Sequence, residues 1–287
     1  MNAVLYLFGG GGAFFVGVAL VLAGIAIFAV QRSRVVATLL AVVGLILIAF
    51  SAIPLPYWLY GLAGGVSVLW LAAERSGGRL RSRRGWLRDA GAGIWLAAVA
   101  VELPHHILPA VPPTGDRPTL HVIGDSLAAG TGSKQEETWP RRLARVHGIE
   151  VVDLSRVGAT TISALGQAEK LPADGGVVLI EIGGNDLLGP TSAADFDRDL
   201  GELLARVCRP GRAVLMVELP LPPPCNGFGL AQRRRAAEHG VALIPRRVLM
   251  GVLTADDTTT DGLHLTPAGH GRMADALWDA IRPAYGH

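Results

Sequence analysis

Five residues between positions 126 and 264 of this chain have the types and the order that acyl transfer needs. Ser126 sits in Gly124-Asp125-Ser126-Leu127, and Gly158 in Ser155-Arg156-Val157-Gly158. Asn185 sits in Gly183-Gly184-Asn185-Asp186, and Asp261 and His264 in Asp261-Gly262-Leu263-His264. A serine hydroxyl is a weak nucleophile at neutral pH and needs a base to take its proton; His264 is the candidate. The imidazole needs a partner that holds its tautomer and steadies the charge it gains. Asp261, across a glycine-containing turn, can reach its other nitrogen. The tetrahedral intermediate carries an oxyanion, and fixed donors aimed at it contribute roughly 2.7–4 kcal/mol each. The backbone N–H groups of Ser126 and Gly158 and the side-chain amide of Asn185 are available for this. Asp186 reads as structural, and His270 as a solvated or helix-packing histidine.

These residues need elements that bring them together. Short β-rich runs at Thr119–Ile123, Glu150–Leu154, Val177–Ile182, Ala213–Leu219 and Val241–Ile244 predict strands. Helical stretches are expected near Thr138–His147, Ile162–Leu171, Ala193–Val207 and Leu230–Glu238. A last helix should start at Thr266-Pro267, an N-cap followed by proline at the first helical position. It should run to about Ile281 with Met273, Leu277 and Ile281 on one face. Strands alternating with helices imply a parallel sheet covered on both sides. Ligands of such sheets bind outside the carboxyl ends of the strands. Ser126, Gly158 and Asn185 all directly follow a strand. In the flavodoxin-like order 2-1-3-4-5 those three strands are neighbours, so the three groups should converge.

The four blocks together resemble the SGNH/GDSL hydrolases over about residues 119–282, and are most similar to the bacterial thioesterase/lysophospholipase group. A chance Gly-Asp-Ser-Leu is expected in only about one per cent of chains of this length, and four blocks in order at strand ends exclude coincidence. The resemblance implies a three-layer α/β/α fold and ester hydrolysis without cofactor or metal. It makes Ser126 the nucleophile, Asp261 and His264 its acid and base, and Ser126, Gly158 and Asn185 the oxyanion hole. The second block departs from the family in carrying Asp153 where an asparagine is common.

The N-terminal part has a different composition. Of the 287 residues 17% are charged and 50% hydrophobic, and the mean hydropathy is +0.39. Residues 1–113 hold eight Lys/Arg and three Asp/Glu, leaving eighteen and twenty-one for the remainder. The basic excess therefore belongs to the apolar part and does not point to nucleic acid. Apolar runs at Leu5–Val30, Val35–Ile53 and Tyr57–Ala73 are each long enough to span a bilayer, and Ala90–Val111 is a weaker fourth. Gly9–Gly12 reads as a helix break or packing site. All eight basic residues fall between the first and second runs (Arg32, Arg34) or between the third and fourth (Arg75, Arg79, Arg81, Arg83, Arg84, Arg88). Cytoplasmic loops hold positive charge, which puts the N-terminus outside and, if the fourth run crosses, everything after Val111 outside too. Glu102, His105 and His106 are expected at that interface. Arg233–Arg235 are expected on a solvated helix face, with an anionic headgroup contact as the alternative. Cys208 and Cys225, at opposite ends of a strand, do not suggest a disulfide.

The expected organisation is an all-α transmembrane region at 1–111, a proline-rich linker at 112–118 and a hydrolase domain at 119–287. The expected protein is a multi-pass inner or plasma membrane enzyme with an extracytoplasmic catalytic domain. Its partners are membrane lipids and a lipid-derived acyl ester or thioester. Removal of acetyl groups from an envelope glycan and a non-catalytic membrane binding protein are the alternatives.

Overall fold

The computed structural model describes residues 2–30, 33–75, 82–115, 118–130, 136–173 and 175–286. Among the described residues the chain opens with the helices α1 (Ala3–Gly9), α2 (Gly12–Ala29), α3 (Arg34–Phe50), α4 (Tyr57–Arg75) and α5 (Arg84–Glu102). The glycine run is a break, as Gly11 at φ 86° separates α1 from α2. Helices α2 and α3 form a tight hairpin because small residues face each other. A Cβ on Gly17 would lie 2.6 Å from the Gly44 carbonyl oxygen, and one on Gly44 2.5 Å from that of Gly17. Such small residues let the two backbones approach closely. Helices α4 and α5 pair through the indole of Trp95, which donates to Ser67 Oγ at 3.0 Å and packs edge-on against Phe14 of α2.

Among the described residues one helix, Gly12–Ala29, is by itself long and apolar enough to cross a membrane; Arg34–Phe50 is a slightly shorter apolar helix. The fourth run is helical only to Glu102 and then tightens into a 3₁₀ turn at Leu103–His106, where Pro104 cannot continue the ladder.

The rest is a five-stranded parallel sheet of order β2-β1-β3-β4-β5, with β1 at Leu120–Gly124, β2 at Val151–Asp153, β3 at Val177–Glu181, β4 at Ala213–Val217 and β5 at Ala242–Ile244. Between them run α6 (Ser126–Ala129), α7 (Trp139–His147), α8 (Thr161–Ala168), α9 (Gly184–Leu188), α10 (Ala193–Val207) and α11 (Asn226–His239); α12 (Arg246–Leu253) and α13 (Pro267–Ile281) follow β5. Alternate strand residues feed two cores. Leu120, Val122, Leu179 and Leu215 pack with Trp139, Leu249, Met273 and Leu277 on one face. Ile123, Val178, Ile180 and Met216 pack with Ala164, Phe196, Leu200 and Ala231 on the other. The result is the three-layer α/β/α sandwich. Helix α12 and the two short helices have no counterpart among the expected elements, because four to eight residues carry too little periodicity. The proline-rich segment is docked rather than free at its described residues. Val111 is buried in the first core, and the Thr114 N–H donates to the Ala284 carbonyl at 3.1 Å. Asp116 and Arg117 lie outside the described residues.

The sheet and the helical bundle meet through buried charge. Arg233 Nη1 reaches Glu102 Oε2 at 2.7 Å and Arg233 Nε reaches Glu218 Oε1 at 2.7 Å. Arg246 Nη2 reaches Glu102 Oε1 at 2.6 Å and Arg246 Nε reaches Glu218 Oε2 at 3.2 Å. His106 Nε2 lies 3.3 Å from Glu102. This corrects the expectation for Arg233. Arg233 leaves the solvated face because it lies opposite two carboxylates, whereas Arg234 and Arg235 pair with Asp197 at the surface. Glu102 is fully buried, bound by arginines 131 and 144 residues away.

Helix α13 starts against the backbone of Thr258: a Cβ on Gly269 would lie 2.0 Å from the Thr258 carbonyl oxygen. Gly269→Ala must push the two segments apart, and overpacking of this kind costs about 1–3 kcal/mol. Because the moved segment leads into the hairpin bearing His264, hydrolysis should fall together with the thermal midpoint.

Candidate active site

Three strand ends position Ser126, Gly158 and Asn185, and a hairpin carries Asp261 and His264. Strand β1 ends at Gly124, where its backbone is clamped by the buried Gln167: the Gly124 N–H donates to Gln167 Oε1 and Gln167 Nε2 donates to the Gly124 carbonyl, both at 3.0 Å. Asp125 caps α6 by accepting the Leu127 N–H at 3.0 Å, which sets half-buried Ser126 at the helix start. After β2, Asp153 shapes the loop by accepting from the Ser155 N–H at 3.0 Å and the Ser155 hydroxyl at 2.5 Å. The loop then turns through Gly158 at φ 72°, a left-handed conformation that side chains resist.

After β3, Asn185 ties the three loops together. Its Nδ2 donates to the Ala159 carbonyl at 3.0 Å and to Asp125 Oδ2 at 3.2 Å. Asp186 has the structural task expected of it, accepting from the backbone N–H of Thr161 at 2.8 Å and its hydroxyl at 3.0 Å. Among the described residues the N–H groups of Ser126 and Gly158 have no acceptor, so both stay available to a ligand.

Asp261 and His264 lie in a hairpin closed by the antiparallel Thr259–Leu265 bridge. Asp261 Oδ2 lies 2.7 Å from His264 Nδ1, while Oδ1 accepts the N–H groups of Leu263 at 2.9 Å and His264 at 2.8 Å. These bonds, that from the imidazole foremost, hold the Asp261 carboxyl well below its usual range. No hydrogen bond joins the Ser126 hydroxyl to His264 among the described residues; such bonds are often long without substrate and tighten in the complex. His270 lies away from this pair, buried, with Nδ1 accepting the Trp139 N–H at 3.2 Å.

Asp125, Gln167 and Glu181 escaped the sequence reading. Asp125 had a signal, an aspartate just before a helix start. Gln167 and Glu181 had none, since their roles exist only once α8, β1 and β3 pack. Glu181 lies opposite Gly124 in the ladder and is buried beneath Asp125. Burial pushes the Asp125 carboxyl from 3.8 up to about 6. Burial and the Asp125 charge push Glu181 well above its usual value. Both pKa values are raised in the folded state, so the stabilisation is complete below the ordinary carboxylate range and is lost as pH rises toward 6. Depressed surface carboxylates such as Asp261 act in the opposite sense, so a difference measurement isolates the pair. Glu181→Gln should stabilise the chain progressively, relative to the parent, as pH rises from about 4 to 7, read as thermal midpoints at each pH.

A doubly covered parallel sheet with an Asp–His pair, a serine at a helix start and free N–H groups on one strand edge defines a serine hydrolase of the α/β/α type. The chain belongs to the GDSL-like Lipase/Acylhydrolase family, whose model matches residues 122–272, and is an ester hydrolase of the SGNH type. It is similar to the esterase TesA of Pseudomonas aeruginosa, 29% identical over 58% of this chain and 88% of that protein. An arylesterase of Vibrio mimicus is 32% identical over 54% of this chain and 84% of its own length. Thioesterase 1/protease 1/lysophospholipase L1 of Escherichia coli K12 is 26% identical over 59% of this chain and 86% of that protein. The crystal structure of TesA superposes with a TM-score of 0.50 at 28% identity, over 58% of this chain and 99% of that one.

Proposed function

We propose that the chain is a multi-pass membrane enzyme that hydrolyses lipid-derived acyl esters or thioesters through an acyl-enzyme on Ser126. The observation that carries the catalytic reading is the Asn185 amide, held at once by Ala159 beside Gly158 and by Asp125 beside Ser126. Ser126 Oγ attacks the carbonyl carbon of the ester while its proton passes to His264 Nε2. Asp261 holds the Nδ1–H and offsets the imidazolium charge. The oxyanion is met by the N–H groups of Ser126 and Gly158 and by Asn185 Nδ2, which keeps its bond to the Ala159 carbonyl and turns the hydrogen held by Asp125 Oδ2 toward the oxyanion. His264 protonates the departing alcohol or thiol, and water repeats the sequence on the acyl-enzyme. Asn185→Ala should lower kcat by about 10²–10³-fold with KM nearly unchanged, measured on a p-nitrophenyl ester.

The membrane reading assigns residues 1–111 to a spanning region, 112–118 to a linker and 119–287 to the hydrolase domain. Helices α2 to α5 expose Val16, Leu39, Val43, Ile46, Leu69 and Leu96 on their outer faces, as lipid-facing helices do. Exposed Trp58 at one end and Trp86 at the other suit the two interfaces, where tryptophan is enriched. Arg34, Arg75, Arg83, Arg84 and Arg88 belong to the α2–α3 and α4–α5 connections, the end opposite the sheet. The 51–56 loop, the start of α1 and the end of α5 meet the hydrolase domain instead. With arginines inside, that domain lies outside the cytoplasm.

A chain-length series of p-nitrophenyl esters given to the full chain in detergent tests the substrate class. Preference for long acyl chains is expected, and activity confined to acetyl esters would replace the lipid reading with deacetylation. A reporter fused after His287 should be active only outside the cytoplasm.

A further inference from the structure

Five large aliphatic side chains after residue 119 are exposed: Val146, Val157, Ile162, Leu188 and Leu263. Four of them surround the candidate site. Val157 precedes Gly158, Ile162 lies in the first turn of α8, Leu188 closes the helix of Asn185, and Leu263 precedes His264. These four are between 49% and 71% exposed, and all stand at the carboxyl edge of the sheet. Val146 lies in the last turn of α7, just before the chain enters β2, and so at the opposite edge. Exposed apolar surface gathered beside polar residues marks a protein or membrane contact site.

The helical bundle indicates what that surface meets. The same carboxyl edge rests on the bundle at the ends of β4 and β5. Arg246 donates to the Ala52 carbonyl as well as to Glu102, the Tyr57 hydroxyl donates to the Pro223 carbonyl at 2.9 Å, and Asn226 Nδ2 donates to the Leu55 carbonyl at 3.4 Å. These contacts lie beside exposed Tyr57 and Trp58, at the level where aromatic side chains mark the lipid–water boundary. Helix α1, packed through Gly9 against Met250 of α12, turns Val4 and Leu5 outward at this end of the bundle. Neighbouring strands are about 4.8 Å apart, so β3 and β1 lie roughly 5 and 10 Å to the side of β4. Their ends, with Asn185 and Ser126, therefore lie to the side of the bundle contact.

We propose that Val157, Ile162, Leu188 and Leu263 form a bilayer-contact rim that seats the mouth of the catalytic site on the outer leaflet. An ester then enters from the lipid phase. The inference rests on the membrane-enzyme reading above and adds the orientation of the site and the surface that touches lipid. The bundle thereby sets the height and tilt of the active site as well as tethering it.

The test uses the full chain in phosphatidylcholine vesicles, with Cys208→Ala and Cys225→Ala and one new cysteine carrying an environment-sensitive fluorophore. At Ile162→Cys and Leu188→Cys, doxyl groups on the lipid chains should quench and aqueous iodide should not. At Val146→Cys the reverse should hold. Iodide quenching at 162 and 188 overturns the rim, and so does quenching by neither agent, the result of a second copy covering it. This readout needs no turnover, so it decides the rim even where the ester reading fails. In the kinetic arm, the double variant Ile162→Ser with Leu188→Ser should cleave a long-chain ester embedded in vesicles at least about tenfold more slowly. Its rate on soluble p-nitrophenyl acetate should stay within about twofold of the parent. Equal loss on both substrates, or loss on neither, overturns the proposal. Absence of cleavage of either ester by the parent overturns the hydrolase reading and leaves the quenching result standing.

Discussion

Ser126→Ala should lower ester hydrolysis by about 10⁴–10⁶-fold, the range seen when the nucleophile of a serine hydrolase is removed. The size follows from the chemistry: without Oγ no acyl-enzyme forms, and direct attack by water has only the oxyanion donors and substrate positioning to help it. Stability should hardly change. Ser126 is half-buried at the start of α6, and the cap of that helix belongs to Asp125, not to the serine. The variant should therefore keep the parent thermal midpoint while losing both turnover and labelling by a fluorophosphonate. Labelling that persists in Ser126→Ala would move the nucleophile elsewhere. A folded parent that never labels would turn the domain into a binding module. His264→Ala should come close to the same loss, because the two groups act as one unit and their effects do not add.

Glu102→Ala carries the second large effect, on stability. Glu102 and Glu218 share Arg233 and Arg246, so two buried carboxylates balance two buried guanidinium groups. Removing one acid leaves a net positive charge in a site where Arg246 is 1% exposed. Breaking a buried pair in this way costs about 3–5 kcal/mol. The loss falls on the seam between bundle and sheet. Unfolding of the detergent-solubilised variant should begin at a lower temperature, and protease should cut earlier in the 107–118 segment than in the parent. Glu102→Gln should lie between the two, since it keeps the shape and some of the hydrogen bonds. An unchanged midpoint in Glu102→Ala would mean that water reaches the cluster and solvates the arginines.

The parts legible in the sequence were those whose signal is local. The continuous β-branched and aliphatic run of Val177–Glu181, the Thr266-Pro267 helix start and the four short motifs each carry their message within a few residues. The sheet order was accessible because parallel crossovers allow few arrangements. Arg233 was misread for the opposite reason: on its own helix it is one of three consecutive arginines, and nothing nearby in the chain announces a carboxylate. Gln167 and Glu181 stayed hidden likewise, since a polar residue inside a helix or at a strand end has many ordinary uses.

The amino-acid order by itself determined the hydrolase family, the α/β/α class, the five residues proposed for the chemistry and the apolar character of the first hundred residues. Periodicity and short motifs encode those features over spans of a few turns. Only the tertiary structure decided that Asn185 is held by both neighbouring loops, that four distant charges pin the sheet to the bundle, and that the exposed aliphatic side chains gather around the site. Each of these is a contact between segments far apart in the chain. Such contacts acquire an energy only after folding brings their partners within a few ångströms.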